Sequence, residues 1–191
     1  MSQMPYPKIV AIVEGSMERA FINENFRYVH AMPIYNGEAW TTEAMARQAQ
    51  TLAATIDYDY DLMIVWFDRE KRDETVEQIA HTVRGRLIEM GVDDARLAII
   101  VCDRMTENLF LLDRNLLIRE GISDDALPHS LGHNGKVVLK RLFKERGMKY
   151  SETFDGKRML KRLNIDECVA DFPLIGDLRR KMPACWWGGA S

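Results

Sequence analysis

The chain has 191 residues, of which 47% are hydrophobic, 29% charged and 9% aromatic. This length and balance suit one folded domain with a sizeable core, and they exclude a disordered, collagen-like or disulfide-knotted chain. The net charge of −3 divides unevenly: the first 135 residues hold 13 Lys and Arg against 22 Asp and Glu, a balance of −9, and the last 56 hold 13 against 7, a balance of +6. An acidic first part and a basic last part indicate two electrostatic roles.

The predicted elements of the first part alternate between strand and helix. A continuous apolar run over residues 8–13 predicts a buried strand, and the helix after it is expected to have Ser16 as its N-cap. An extended piece over 28–35 precedes an amphipathic helix over 45–56. This order of strand, helix, strand, helix is the start of an α/β fold.

The same alternation continues through the next sixty or so residues. A second buried strand is predicted over 62–67, a helix over 76–87, a third buried strand over 97–102 and a buried helix over 108–118. Helices of this length between apolar strands require crossover connections, so the sequence predicts a mainly parallel, Rossmann-like sheet flanked by helices.

The chain beyond this core is expected to be a separate helical part. Residues 121–135 are rich in Gly, Asp, Ser and Pro and are predicted to form a loop. This loop would join an α/β core over 1–120 to a basic, helical C-terminal appendage over 136–191, packed on the core.

The cysteines and the N-terminal segment indicate a cytoplasmic protein. Cys102, Cys168 and Cys185 are odd in number and form no C-x-x-C pair, so neither a disulfide framework nor a zinc ribbon is predicted. The apolar run Ile9–Val13 stops at Glu14 and is too short for a membrane span or a signal peptide. We therefore expect no contact with a membrane.

Acidic side chains follow all three predicted buried strands. Glu14 ends the first strand, Asp68 and Glu70 end the second, and Asp103 and Glu107 follow the third. Ligands of an open parallel sheet gather at the carboxyl ends of its strands. Crowded carboxylates destabilise a fold unless a cation neutralises them, and carboxylate oxygens suit hard cations. The pattern predicts a Mg²⁺ or Mn²⁺ site with enough carboxylates to bind two ions about 4 Å apart. Asp103 is expected to be a turn residue and not a ligand.

Three segments of the chain resemble Toprim (topoisomerase-primase) domains. Residues 12–22, Ile-Val-Glu-Gly-Ser-Met-Glu-Arg-Ala-Phe-Ile, resemble the first Toprim motif in the Glu-Gly-x-x-Glu form typical of the OLD (overcoming lysogenization defect) nucleases and small stand-alone relatives. Residues 68–70 stand where that family has Asp-x-Asp. Glu70 takes the place of the second Asp, and it keeps the negative charge on a longer side chain. Residues 106–113 are similar to a segment of the small proteins, so the resemblance covers residues 8–113.

The resemblance implies a metal-dependent nuclease that hydrolyses phosphodiester bonds in DNA or RNA. Glu14 would be the catalytic Glu, as metal ligand or general base, and Asp68 and Glu70 would hold Mg²⁺ or Mn²⁺. Glu18 and Glu107 would be candidate ligands of a second ion. Small proteins of this kind resemble phage-defence effectors, so the resemblance also implies a separate ABC/OLD-type ATPase as a partner.

The basic part of the chain supplies the candidate phosphate contacts. OLD-like enzymes use a Lys near the scissile phosphate, for which Lys136 and Lys157 are the candidates. The residues that could follow a nucleic-acid backbone are Lys140, Arg141, Lys144, Arg158, Lys161 and Arg162. Amphipathic helices also carry charged faces without binding anything. The alternative function is therefore a non-catalytic partner subunit that uses the Toprim-like fold to bind another protein. Assembly of the chain into a homo-oligomer is compatible with either function.

Overall fold

The computed structural model describes residues 7–26, 28–34, 41–123, 134–169 and 171–181. Up to residue 102 its elements are β1 Lys8–Val13, α1 Ser16–Asn25, β2 Tyr28–Pro33, α2 Thr42–Ala53, β3 Leu62–Asp68, α3 Val76–Glu89 and β4 Leu97–Cys102. They are followed by α4 Glu107–Leu112, α5 Arg114–Arg119, α6 Gly135–Glu145, α7 Lys157–Arg162, α8 Ile165–Cys168 and α9 Pro173–Lys181, with a π-helical turn, Glu152–Gly156, before α7. Most of the predicted 121–135 loop lies outside the described residues.

The four strands form one all-parallel sheet in the order β2-β1-β3-β4. The predicted α/β class with a parallel sheet is therefore confirmed. The chain leaves β1 for β2 on one side and later enters β3 on the other side, so the strand order reverses between β1 and β3. In folds of this type the crevice at such a reversal, beyond the carboxyl ends of the strands, is where ligands bind.

Helices cover both faces of the sheet because side chains of each strand alternate between the two faces. On one face, α2 and α3 pack against β-strand residues that include Ile12 and Val65. On the other face, the side chain of Trp66 belongs to a larger hydrophobic cluster with α1 and α4–α9. Helices α6–α9, which include the buried Leu139 and Phe143, thus share a hydrophobic cluster with the sheet.

The expected N-cap of α1 is wrong. Helix α1 begins at Ser16, its N-cap is Gly15, and no side chain caps it in the way that Ser16 was expected to. The carboxylate of Glu18 takes this role instead, because it accepts hydrogen bonds from the backbone N–H groups of Gly15 and Glu18.

The predicted single helix over 108–118 is divided into α4 and α5 at Asp113. The Asp113 carboxylate accepts hydrogen bonds from the backbone N–H of Leu116 at 2.8 Å and from that of Asn164 at 2.8 Å. An Asp that caps the following turn competes with helix continuation, which explains the break.

Two further features concern possible membrane-spanning helices and the state of the cysteines. Among the described residues, no helix is long and apolar enough to cross a membrane. Cys102 and Cys168 are buried free thiols, and Cys185 lies outside the described residues.

Candidate active site

Glu14 and Asp68 meet at the reversal point of the sheet. The backbone N–H of Glu14 donates to the Trp66 carbonyl at 3.1 Å, which continues the β1–β3 pairing by one residue. The backbone N–H of Asp68 in turn donates to Oε2 of Glu14 at 3.0 Å. The two acids predicted to end neighbouring strands are therefore in direct contact.

Glu18 lies beside this pair because Gly15 leaves room for it. A Cβ atom at position 15 would collide with Oε2 of Glu18, so only glycine permits this position of the carboxylate. Glu18 is 4% exposed. The Glu-Gly-x-x-Glu pattern thus has a steric reason here: the second Glu folds back over the glycine that comes after the first.

Thr106 links the acids from the β4 side, a role that the sequence did not suggest. Its side chain is fully buried, and its hydroxyl donates to Oδ1 of Asp68 at 3.0 Å and is also within hydrogen-bonding reach of Glu18. A Thr immediately before a helix normally caps it, but the Thr106 side chain makes no capping bond to α4. Its hydroxyl therefore serves the acids rather than the helix.

Glu107 and Lys136 lie next to the other acids, at the contact between α4 and α6. The backbone N–H of Gly135 donates to Oδ1 of Asn108 at 2.8 Å, and a Cβ atom at position 135 would lie 2.6 Å from the Asn108 backbone N. This close approach brings the start of α6 beside the 5% exposed Glu107. The Lys136 ammonium pairs with Glu152 of the π-helical turn at 2.7 Å.

The carboxyl groups of Glu14, Glu18, Asp68 and Glu107, here called the acidic cluster, all have raised pKa values. Burial is the largest cause for each of them, and it raises the pKa of Glu14 to about 7. Repulsion among the acids adds to this, since Glu18, Glu14 and Glu107 all raise the pKa of Asp68. The cluster thus combines two buried acids, Glu18 and Glu107, with two partly buried ones, Glu14 and Asp68. The charges of Arg72 and Lys136 lower the pKa values of Glu14 and Glu107, but they do not outweigh burial and repulsion.

Lys136, a cation of the basic part, acts on the cluster. Its charge lowers the pKa of Glu107. Burial works to lower the pKa of Lys136 itself, but the hydrogen bond to Glu152 and the charges of Glu152, Glu107 and Asp68 outweigh burial and raise it. Lys136 therefore keeps its proton at neutral pH.

Glu70 stands at the rim of the cluster. It has a left-handed backbone, with φ of 51°, and its N–H donates to the Arg104 carbonyl at 2.8 Å. Its charge is one cause of the raised pKa of Glu14. Asp103, the expected turn residue, lies in the bend after β4, where its carbonyl accepts from the Met105 N–H at 2.8 Å, and its carboxylate forms an ion pair with Arg69 at 2.6 Å.

The other candidate Lys is engaged elsewhere. Lys157 pairs at 2.9 Å with Glu24 in the last turn of α1, whereas Glu18 is in the first turn of that helix. The structure therefore brings Lys136, and not Lys157, to the acidic cluster.

The six candidate nucleic-acid contacts differ in how far other side chains engage them. Lys140 and Lys144 are exposed on α6. The other four have acidic partners within the chain: Arg141 with Glu145 at 3.8 Å, Lys161 with Glu24 at 3.6 Å, Arg158 with Glu120 at 2.6 Å and Arg162 with Glu120 at 3.3 Å. For Arg158 and Arg162 in particular, a structural role is visible.

The four acids of the cluster supply carboxylate oxygens, which suit a hard cation. The Cys102 thiol, 3.7 Å from the Thr106 hydroxyl, keeps its proton because burial raises its pKa. Within the described ranges, however, no group of three or more His, Cys, Asp and Glu side chains is arranged to hold a metal ion. The carboxylates are instead turned to internal donors, as in the bonds from the Asp68 N–H and the Thr106 hydroxyl. Binding of an ion would require these side chains to turn.

No protein-family model matches this chain, and no significant match is found among curated proteins or among solved structures. The resemblance to Toprim domains therefore rests on the motif residues themselves. A function for this chain has to be inferred from the geometry and charge of its own side chains.

Proposed function

We propose that this protein is a divalent-metal-dependent nuclease, which hydrolyses phosphodiester bonds in DNA or RNA. The observation that carries the proposal is the acidic cluster: four mutually repelling carboxyl groups at the reversal point of a parallel sheet. Burial of like charges is costly unless a cation offsets it. Structural needs alone do not account for gathering them from three separate segments of the chain.

The residues that would hold Mg²⁺ or Mn²⁺ are Glu14, Asp68, Glu18 and Glu107, with Glu70 available at the rim. When bound, such ions supply charge neutralisation and polarise a phosphoryl oxygen. The Thr106 hydroxyl orients Asp68 through their 3.0 Å hydrogen bond.

Two side chains have protonation states suited to hydrolysis. If Glu14 acts as the general base and not as a metal ligand, its pKa, raised by burial to about 7, suits it to take a proton from an attacking water near neutral pH, where a general base is most effective. Lys136 stays protonated because its carboxylate neighbours raise its pKa. Its positive charge would offset the negative charge that develops on the phosphate oxygens.

The test is cleavage of labelled single- and double-stranded oligonucleotides with Mn²⁺, by wild type and by the near-isosteric Glu14→Gln and Asp68→Asn variants. We expect each variant to lose about a hundredfold or more in rate while its circular dichroism spectrum stays that of wild type. Glu77→Gln, an exposed acid at the start of α3, is the matched control and should cleave normally. Equal rates in all four proteins would refute the proposal.

The alternative function, a non-catalytic partner subunit, is favoured by the absence of a ready-made ligand group within the described residues. Calorimetric titration with Mn²⁺ separates the two functions. Binding that Asp68→Asn abolishes supports the nuclease, while absence of binding, or binding that this variant leaves unchanged, supports the partner subunit.

A further inference from the structure

The π-helical turn Glu152–Gly156 carries an aromatic side chain in solvent. Phe154 is 79% exposed, more than any other large hydrophobic side chain of the described residues. Its backbone is fixed, because the Phe154 N–H donates to Oγ of Ser151 at 3.3 Å and the Asp155 carboxylate accepts from the Ser151 N–H at 2.8 Å. A single exposed apolar side chain is ordinary on a protein surface, so what distinguishes Phe154 is its position.

Both ends of this turn are attached next to the acidic cluster. At its start, the Glu152 carboxylate pairs with the Lys136 ammonium at 2.7 Å. At its end, Gly156 lies against Met17 of α1, since a Cβ atom at position 156 would collide with the Met17 sulfur. Met17 directly precedes an acid of the cluster. Phe154, midway between the two attachments, is therefore at the rim of the cluster.

The groups at this rim are accessible to solvent. The side chains of Lys136 and Glu152 are 34% and 46% exposed, and Glu14 and Asp68 are partly exposed at the strand ends. A phosphate that approaches the acids from solvent can therefore contact the Lys136 ammonium without opening the core. The Cα atoms of residues 152 and 154 are at most about 8 Å apart, so the nucleotide next to that phosphate is within reach of the Phe154 ring.

Three Lys residues extend from this rim along α6. Lys136, Lys140 and Lys144 follow one another at intervals of four residues, which puts them on the same side of the helix. Lys140 and Lys144 are exposed. These three residues, here called the lysine stripe, span about 12 Å along the helix axis. A row of ammonium groups of this length suits consecutive phosphates of a nucleic-acid strand.

We propose that the substrate is a single-stranded nucleic acid: Phe154 stacks on the unpaired base next to the phosphate at the acidic cluster, and the lysine stripe contacts the adjoining phosphates. Aromatic stacking and electrostatic contacts with the backbone are the interactions by which proteins bind single strands of many sequences. In a duplex the faces of internal bases are covered by their neighbours, so an isolated ring favours unpaired strands. This inference rests on the proposed nuclease function, whose substrate class it names.

The experiment measures affinity by fluorescence anisotropy, with Ca²⁺ in place of Mn²⁺ to slow cleavage. The probes are a labelled single strand, its duplex and an abasic single strand of the same length. Wild type should prefer the single strand, and Phe154→Ala should bind it about tenfold more weakly because stacking is lost. Phe154→Trp should retain the affinity. The abasic strand and the duplex should bind equally to wild type and Phe154→Ala. Thermal unfolding should be unchanged, since the ring is exposed.

The matched control is Tyr28→Ala. Tyr28 is another exposed aromatic residue, 59% exposed, but it begins β2 and therefore lies at the edge of the sheet opposite the carboxyl ends of the strands. This variant should bind all three probes as wild type does.

The outcomes separate this inference from the proposed function. Unchanged affinity of Phe154→Ala for the single strand, the result expected if the ring belongs to a protein interface, would overturn the inference. Equal losses in Phe154→Ala and Tyr28→Ala, or a preference of wild type for the duplex, would also overturn it. A wild type that binds the single strand through Phe154 but cleaves nothing with Mn²⁺ would overturn the nuclease function alone and leave Phe154 as a single-strand contact.

Discussion

Two sets of buried acids in this protein differ in how their charge is balanced. Asp113 is fully buried and Glu120 is 8% exposed, comparable with Glu18 and Glu107 of the acidic cluster. Asp113 accepts two backbone hydrogen bonds, and Glu120 pairs with two guanidinium groups. In the cluster, Glu18 and Glu107 lie at a similar depth and Glu14 and Asp68 are partly buried. Their hydrogen bonds and the neighbouring positive charges do not offset burial and mutual repulsion, since all four pKa values are raised. Buried acids with partners hold helices together, whereas the cluster is the candidate for binding something that is not part of the chain.

The largest effect is expected from removing a balanced acid. Asp113→Ala leaves the buried N–H groups of Leu116 and Asn164 without acceptors and should lower the free energy of unfolding by about 3 kcal/mol. Asp113→Asn keeps one acceptor oxygen and should lose less. Urea denaturation of both variants measures this, and a loss below that of an ordinary surface substitution would contradict the assignment of Asp113 as a structural acid.

The next effect concerns the pH dependence of the unbalanced set. The pKa of Glu14 is raised from 4.5 to about 7, so the stability that its neutral form allows is present below pH 4.5 and is lost as the pH rises to 7. Allowing for the solvent around this half-buried group, the loss is about 2 kcal/mol.

The measurement is urea denaturation of wild type and Glu14→Gln with a chelator between pH 4.5 and 7.5. Glu14→Gln lacks this titration, so its stability relative to wild type should grow by the same amount over that range. Parallel curves of stability against pH for the two proteins would show that the folded protein compensates the charge of the Glu14 carboxylate.

A smaller loss is expected at Glu120. Glu120→Gln removes the charge that Arg158 and Arg162 share and should lower the free energy of unfolding by about 1–2 kcal/mol, because both guanidinium groups are near enough to the surface to be hydrated. Glu145→Gln, which breaks the exposed pair with Arg141, is the control and should change stability by less than about 0.5 kcal/mol. Equal effects of the two substitutions would count against a special role for Glu120.

The smallest effect has the opposite sign. Glu18→Gln keeps the shape of the side chain and removes one charge from the cluster, so we expect a gain of about 1 kcal/mol at pH 7.5 without divalent ions. Glu24→Gln, on the same helix but paired with Lys157, should give no gain. A destabilised Glu18→Gln would mean that the hydrogen bonds from the backbone N–H groups of Gly15 and Glu18 outweigh the repulsion.

The sequence predicted the parts of this arrangement that are local. Buried strands are recognisable as apolar runs, and the positions of Glu14 and Asp68 are set by where those runs end. Glu152 could not be found in this way, because its place near Glu18 depends on how the π-helical turn packs on α1. Thr106 was hidden for another reason: a Thr before a helix is ordinarily a cap.

The break at Asp113 shows the same limit within a single element. The apolar pattern of residues 108–118 suits one helix, but the Asp113 side chain accepts a hydrogen bond from Asn164, far along the chain. A tertiary contact of this kind outweighs local helix preference, and no periodicity reports it.

The hydrophobic cluster that α6–α9 share with the sheet limits how this protein can be divided. A fragment that stopped before α6 would uncover the apolar face around Trp66, Phe110 and Ile100, a surface of the kind that drives aggregation. The same fragment would lack Lys136, whose charge acts on Glu107. Replacing the basic half by another module would therefore remove this charge together with the covering of the core, and the acids could not be studied in isolation.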